Sequence, residues 1–154
     1  MPPVMSSHVY VRKCRERSGM TRGDVAAQLA TDPPVGTLDR ATWIEQIEAG
    51  VAPIGAGVIA ALSKVDGFHF DPLVLHGLLL IEERAPLPAG VPPRLPPRLC
   101  RHCACSERDA CRIGGLAGCF WVEEDLCSAC MDVAARVNAI HAAAGAPATG
   151  SAAA

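Results

Sequence analysis

Residues 100–130 read CRHCACSERDACRIGGLAGCFWVEEDLCSAC, and seven of the chain's eight cysteines fall inside this stretch. The pairs Cys100/Cys103 and Cys127/Cys130 stand at its two ends as C-x-x-C units. A C-x-x-C turn aims two thiolates at one centre, and two such turns supply the tetrahedral sulfur set that zinc takes in structural sites. Cys100, Cys103, Cys127 and Cys130 are therefore the expected ligands. Cys105, Cys111 and Cys119 lie between the pairs, and together with His102 they bring the soft donors to eight, enough for two tetrahedral sites. An iron–sulfur cluster held by four of the thiolates fits the spacing as well. Disulfides or free thiols are the remaining reading, against which stand the odd local count and the lack of a secretion signal.

The run C-R-x-C-x-C-S-E-R-D-A-C, then G-G, then C-F-W-V-E-E-D-L-C-S-A-C, resembles a cysteine-rich module of bacteriophage and prophage proteins. The resemblance covers Leu99 to Met131 and implies a phage or prophage setting, without implying an activity. Where the module is expected to carry a small apolar residue and a glycine, this chain has His102 and Ala104.

With 154 residues the chain can bury one modest core and a small satellite. Its 14 basic and 16 acidic residues give a net charge of −2, so any contact with nucleic acid has to come from local patches. No apolar segment precedes the first charged residues. The run from Leu73 to Ile81 is interrupted by His76 and Gly77 and is too short to span a bilayer. A soluble, cytoplasmic protein with no membrane contact is expected, and in that compartment reduced thiols are available to metal.

Residues 8–81 read as a bundle of short helices. Val11 and Cys14 are spaced to face inward from the first, with Gly19 as its stop. Thr21 is placed to cap the second, with Asp24 as its acidic partner and Val25 and Leu29 facing inward. Asp-Pro-Pro and Gly make 31–38 a loop. Asp39 is the expected cap of a third helix with Ile44 and Ile47 on one face and Gly50 at its end. A fourth helix is expected over about 55–65, and Asp71/Pro72 start a fifth.

This order resembles the helix-turn-helix domain of Cro and lambda-repressor type over roughly Val9 to Leu80. VRKCRERSGMTRGDVAAQLA is similar to its first two helices, IEQIEAG to the end of its recognition helix and FDPLVL to its closing helix. The resemblance implies binding of double-stranded DNA, with 40–46 in the major groove, Arg22 near a phosphate, and Arg40, Thr42 and Gln46 reaching base edges or phosphates. It departs from the family in the longer loop at 31–38 and in Trp43 and Glu45. Over residues 1–80, seven Lys/Arg against eight Asp/Glu leave a net −1, too little charge for strong nonspecific attachment.

Residues 85–99 hold a proline-rich linker expected to act as an extended spacer. After the cysteines, MDVAARVNAI is expected to form a helix, completing a module over 100–141, and 142–154 a disordered tail. No catalytic motif is present, and Glu123, Glu124 and Asp125 form one acidic run rather than a placed pair. The sequence thus predicts a mainly α protein: a five-helix repressor-like domain plus a small metal-stabilised cysteine-rich module. The expected function is that of a phage or prophage DNA-binding regulator of transcription, acting as a homodimer and not as an enzyme. The alternatives are an adaptor or inhibitor that binds a host protein, and an iron–sulfur redox sensor.

Overall fold

The computed structural model describes residues 4–31, 34–84, 87–113, 117–133 and 135. Five helices come first: α1 (Ser7–Arg17), α2 (Arg22–Gln28), α3 (Thr37–Glu48), α4 (Ala56–Leu62) and α5 (Pro72–Glu82). Four short strands follow, β1 (Arg112–Ile113), β2 (Ala117–Gly118), β3 (Trp121–Glu123) and β4 (Leu126–Cys127), then a 3-10 turn, Ser128–Cys130. The described chain is mainly helical, and its strands, which the sequence reading did not foresee, are confined to the cysteine-rich part. None of the described helices is long and apolar enough to cross a membrane.

Local chemistry sets most helix ends. Thr21 accepts the Asp24 backbone N–H at 3.1 Å while the Asp24 carboxylate accepts the Thr21 N–H at 2.8 Å, a reciprocal cap that also holds the Asp24 carboxyl below its ordinary range. Asp71 caps α5 by accepting the Leu73 N–H at 2.8 Å, with Pro72 at the first helical position where no N–H is needed. Gly50 ends α3 at φ 73°, and a Cβ there would meet the His8 ring at 3.1 Å. The cap of α3 is Gly36 rather than Asp39, which lies in the first turn. The start of α1 borrows its cap: the Ser7 N–H and hydroxyl donate to the Glu82 carboxylate at 2.5 and 2.6 Å, tying the first helix to the end of the fifth.

One core joins the helices. Tyr10, Val11, Cys14, Val25, Leu29, Ile44, Ile47, Leu62, Leu75 and Leu78 are buried within it. Burial pushes the Cys14 thiol up to about 12 and raises the Tyr10 phenol, so both stay neutral as packing groups. The Tyr10 oxygen is not orphaned, since it accepts the Asp71 N–H at 2.9 Å. Glu48, 3% exposed, is the polar centre: it accepts Arg15 Nε at 2.5 Å and Nη2 at 3.0 Å, and Arg22 Nε at 2.9 Å. One carboxylate thereby links α1, the start of α2 and the end of α3.

The spacer reading of 85–99 leads one to expect two units held apart, and the structure brings them together. Leu99 and Ala104 are buried in the helical core. Lys13 Nζ donates to the His102 carbonyl at 2.9 Å, and Arg17 Nη1 to the Asp109 carbonyl at 3.1 Å beside an ion pair with the Asp109 carboxylate. Residues 87–99 lack helix and strand, as their prolines dictate, yet the end of this segment is anchored. Arg98 sits 4.3 Å over the Trp121 ring and donates to the Glu123 and Glu124 carbonyls. The apolar and charged contacts available on α1 outweigh the extension that proline alone would favour.

Candidate metal centre

The first C-x-x-C forms a knuckle in which the Ala104 N–H donates to the Cys100 carbonyl at 2.9 Å and the Cys100 N–H to the Cys105 carbonyl at 3.0 Å. Ala104 takes φ 59°, the left-handed conformation for which glycine is suited, while its methyl group is fully buried among the helices. We expect Ala104→Val to destabilise the chain by about 2 kcal/mol or more, because a β-branched side chain is strained at that φ and overfills the contact. Ala104→Gly should stay within about 1 kcal/mol of the parent, gaining conformational ease and losing one methyl. Urea unfolding of the two variants measures both.

Ser106 then turns the chain, its hydroxyl accepting the Arg108 and Asp109 N–H groups at 3.3 and 3.2 Å. The β1–β2 hairpin begins and ends at cysteines, with the Cys119 N–H donating to the Cys111 carbonyl at 2.8 Å and the Cys111 N–H to Cys119 Sγ at 3.2 Å. The β3–β4 pair carries Cys127 at its end, opposite Trp121, and Leu126 is buried beneath it. Two hairpins and a knuckle thus point their cysteines at one place.

All seven cysteines of the segment are free thiols. Cys103 Sγ is 3.7 Å from Cys127 Sγ and 3.3 Å from Cys111 Sγ, and Cys105 Sγ is 3.6 Å from Cys119 Sγ. A disulfide would need about 2.05 Å. Two sulfurs on one tetrahedral zinc, each about 2.3 Å from the ion, lie about 3.8 Å apart, close to the longer distances here. Two groups of four have all their sulfurs within 4.8 Å of one another: Cys100, Cys103, Cys105 and Cys127, and Cys105, Cys111, Cys119 and Cys127. The cluster is compatible with metal binding.

The flanking pairs do converge, through Cys103 and Cys127, but Cys105 takes the place in the first group that spacing alone gives to Cys130. Cys130 is buried against the same sulfurs without belonging to either group. His102 belongs to neither, and its carbonyl is engaged by Lys13. Cys105 reaches the group because the left-handed Ala104, at φ 59°, turns the chain back after the first C-x-x-C, a conformation that spacing in the sequence does not show. Between the thiols, protons are unevenly shared. Hydrogen bonding, first with Cys103, holds Cys100 and Cys111 low, Cys111 to about 2, and bonding to Cys100 pushes Cys103 and Cys105 up. Burial raises Cys130 and brings Cys127 to about 12.

The surface of α3 is a separate matter. Thr42 and Gln46 are exposed one turn apart, and the Thr42 hydroxyl donates to the Leu38 carbonyl at 3.0 Å. Arg40 turns inward instead, donating from Nη1 to the Leu29 carbonyl at the end of α2 at 2.5 Å and from Nη2 to Thr37 Oγ1 at 3.0 Å. Arg22 is held by Glu48 and, at 3.3 Å, by Glu45. Two carboxylates of the acidic run near the cysteines share one cation, since Arg101 pairs with both Glu123 and Asp125. Residues 136–154, which include the end of the expected last helix, His141 and the expected tail, lie outside the described residues. Comparison with protein-family models, with curated proteins and with solved structures finds no match to this chain.

Proposed function

We propose that the chain is a sequence-selective DNA-binding regulator of the phage or prophage type, with α2 and α3 as a helix-turn-helix and the cysteine module as a structural zinc unit. The supporting observation is the α2–α3 pair: it is locked to α1 through Glu48, and it leaves Thr42 and Gln46 on the outer face of α3. Rigid placement of short polar side chains on one helix face suits contact with base edges in a major groove. Arg40 serves this function by fixing the end of α2 rather than by touching DNA. Because most cations of the helical unit are engaged within the chain, recognition in this reading depends on base contacts and on a dimer more than on phosphate attraction.

The test is selection of duplexes from a randomised pool by the full-length protein, followed by affinity measurements at several salt concentrations. We expect Gln46→Ala to weaken binding to the selected site by about 5- to 100-fold while leaving nonspecific binding unchanged. Failure to enrich any duplex, with no salt-dependent binding, would overturn the reading.

A second reading, an adaptor that binds a basic protein surface, is favoured by one observation. Lys13, Arg15, Arg17, Arg22 and Arg40 all bond to groups of the chain itself, whereas α3 exposes two carboxylates, Asp39 and Glu45, of which Glu45 shares Arg22 with Glu48. Partner binding that survives nuclease treatment and is lost in Glu45→Lys distinguishes it. Iron and sulfide in anaerobically purified protein would instead support a redox sensor.

A further inference from the structure

We propose that the cysteine module holds two divalent ions in one thiolate-bridged centre, with Cys105 and Cys127 shared between them. The inference rests on the metal-binding reading of the same cluster and goes beyond it in number and connectivity. The two groups of four contain six different cysteines, and Cys105 and Cys127 belong to both. Cys100 and Cys103 complete the shell of one ion, Cys111 and Cys119 that of the other.

Two independent tetrahedral sites do not fit the donors present. They would need eight separate donors, and the segment has seven thiols, with His102 outside both groups. Cys14 is no substitute, because it is buried in the helical core. The unshared members also touch: Cys103 of the first group lies 3.3 Å from Cys111 of the second. Separate sites have separate ligand shells, so contact between the outer members of two groups means that the groups are one centre. A single ion fits no better, since it would use four sulfurs and leave the remaining thiols crowded against them in a buried cluster with nothing to hold them there.

The chemistry balances without redox change. Six thiols each release a proton to solvent as six sulfurs bind, two of them twice, so that each ion has four sulfur bonds. Six thiolates and two divalent ions leave a formal charge of about −2. Arg17 approaches the module at Asp109 and Lys13 at the His102 carbonyl, so cations of α1 line the side on which that charge develops. The N–H of Cys111 at 3.2 Å from Cys119 Sγ is the kind of donor that stabilises a terminal thiolate.

The test uses the full chain, purified anaerobically and loaded either with zinc or with cadmium-113. Elemental analysis is expected to find two ions per chain with either metal. The cadmium-113 spectrum should show two resonances, each split by coupling to the other through the shared sulfurs. Cys105→Ser should reduce that coupling to the path that remains through Cys127 and lower the affinity for both ions together, whereas Cys100→Ser should weaken one ion selectively. One ion per chain, or two resonances without coupling, overturns the bridged centre and leaves a structural metal in place. Protein that takes up neither metal, or that contains iron and sulfide, overturns the bridged centre and the zinc reading together. The wild-type spectrum decides the matter even where a variant does not fold.

Discussion

Cys127→Ser is expected to unfold the cysteine module and to lower the melting temperature of the helical unit by about 10 °C. Cys127 is fully buried and belongs to both sulfur groups. The apolar residues beside those sulfurs are few, chiefly Leu126 with half-buried Trp121 and Val122, which is too little to order the segment alone. In modules of this size a structural zinc supplies on the order of 10–16 kcal/mol, so loss of a central ligand removes the main source of order. The effect on the helices follows from Leu99, whose burial contributes about 1.5–3 kcal/mol to a core built mostly by the helices. For a domain of 60–100 residues each kcal/mol shifts melting by about 4–8 °C. Amide NMR spectra should show the resonances of 100–130 collapsing while those of α1 to α5 stay dispersed. Chelation should reproduce the change in the parent. A fully dispersed spectrum in the variant would sink the role given to the metal.

Glu48→Ala should be the most damaging single change in the helical unit, at about 3–5 kcal/mol. Removal of the carboxylate leaves the Arg15 guanidinium, largely buried, with only the Met20 carbonyl at 2.8 Å and the more distant, exposed Glu16 carboxylate at 3.8 Å. It also leaves Arg22 with Glu45 alone, at 3.3 Å, and cuts the tie from α1 to α2 and α3. Glu48→Gln should cost less, because an amide oxygen still accepts one of the bonds. In urea the midpoint should fall with little change in slope, the mark of lost stability rather than an altered unfolded state. A Glu48→Ala stability within about 1 kcal/mol of the parent would show that the network is incidental.

What the sequence made legible was governed by neighbours along the chain. Thr21 with Asp24, Asp71 with Pro72, and Gly19 and Gly50 at φ 68° and 73° act through bonds and conformations within a few residues, so helix ends could be read directly. Cys14 was legible as a core residue because its spacing from Val11 fixes its face. The rest depends on distances between elements. Arg40 looks like a surface cation until α2 is seen to end with its Leu29 carbonyl beside it. The choice of Cys105 over Cys130 depends on where two hairpins bring Cys111, Cys119 and Cys127, and strands of two or three residues leave almost no periodicity to read. Leu99 looked like part of a spacer because prolines precede it, and only the surface of α1 shows otherwise.

The position of Leu99 and Ala104 also sets an order of events during synthesis. The helices are made before the cysteines, with a gap where those two residues belong, and under the bridged-centre proposal the gap is filled only after the last cysteine has emerged and the thiols have bound metal. On that proposal a cell short of metal would accumulate chains whose helical unit is unfinished, and proteolysis in such cells should begin near the prolines at 92–97 rather than at the cysteines themselves.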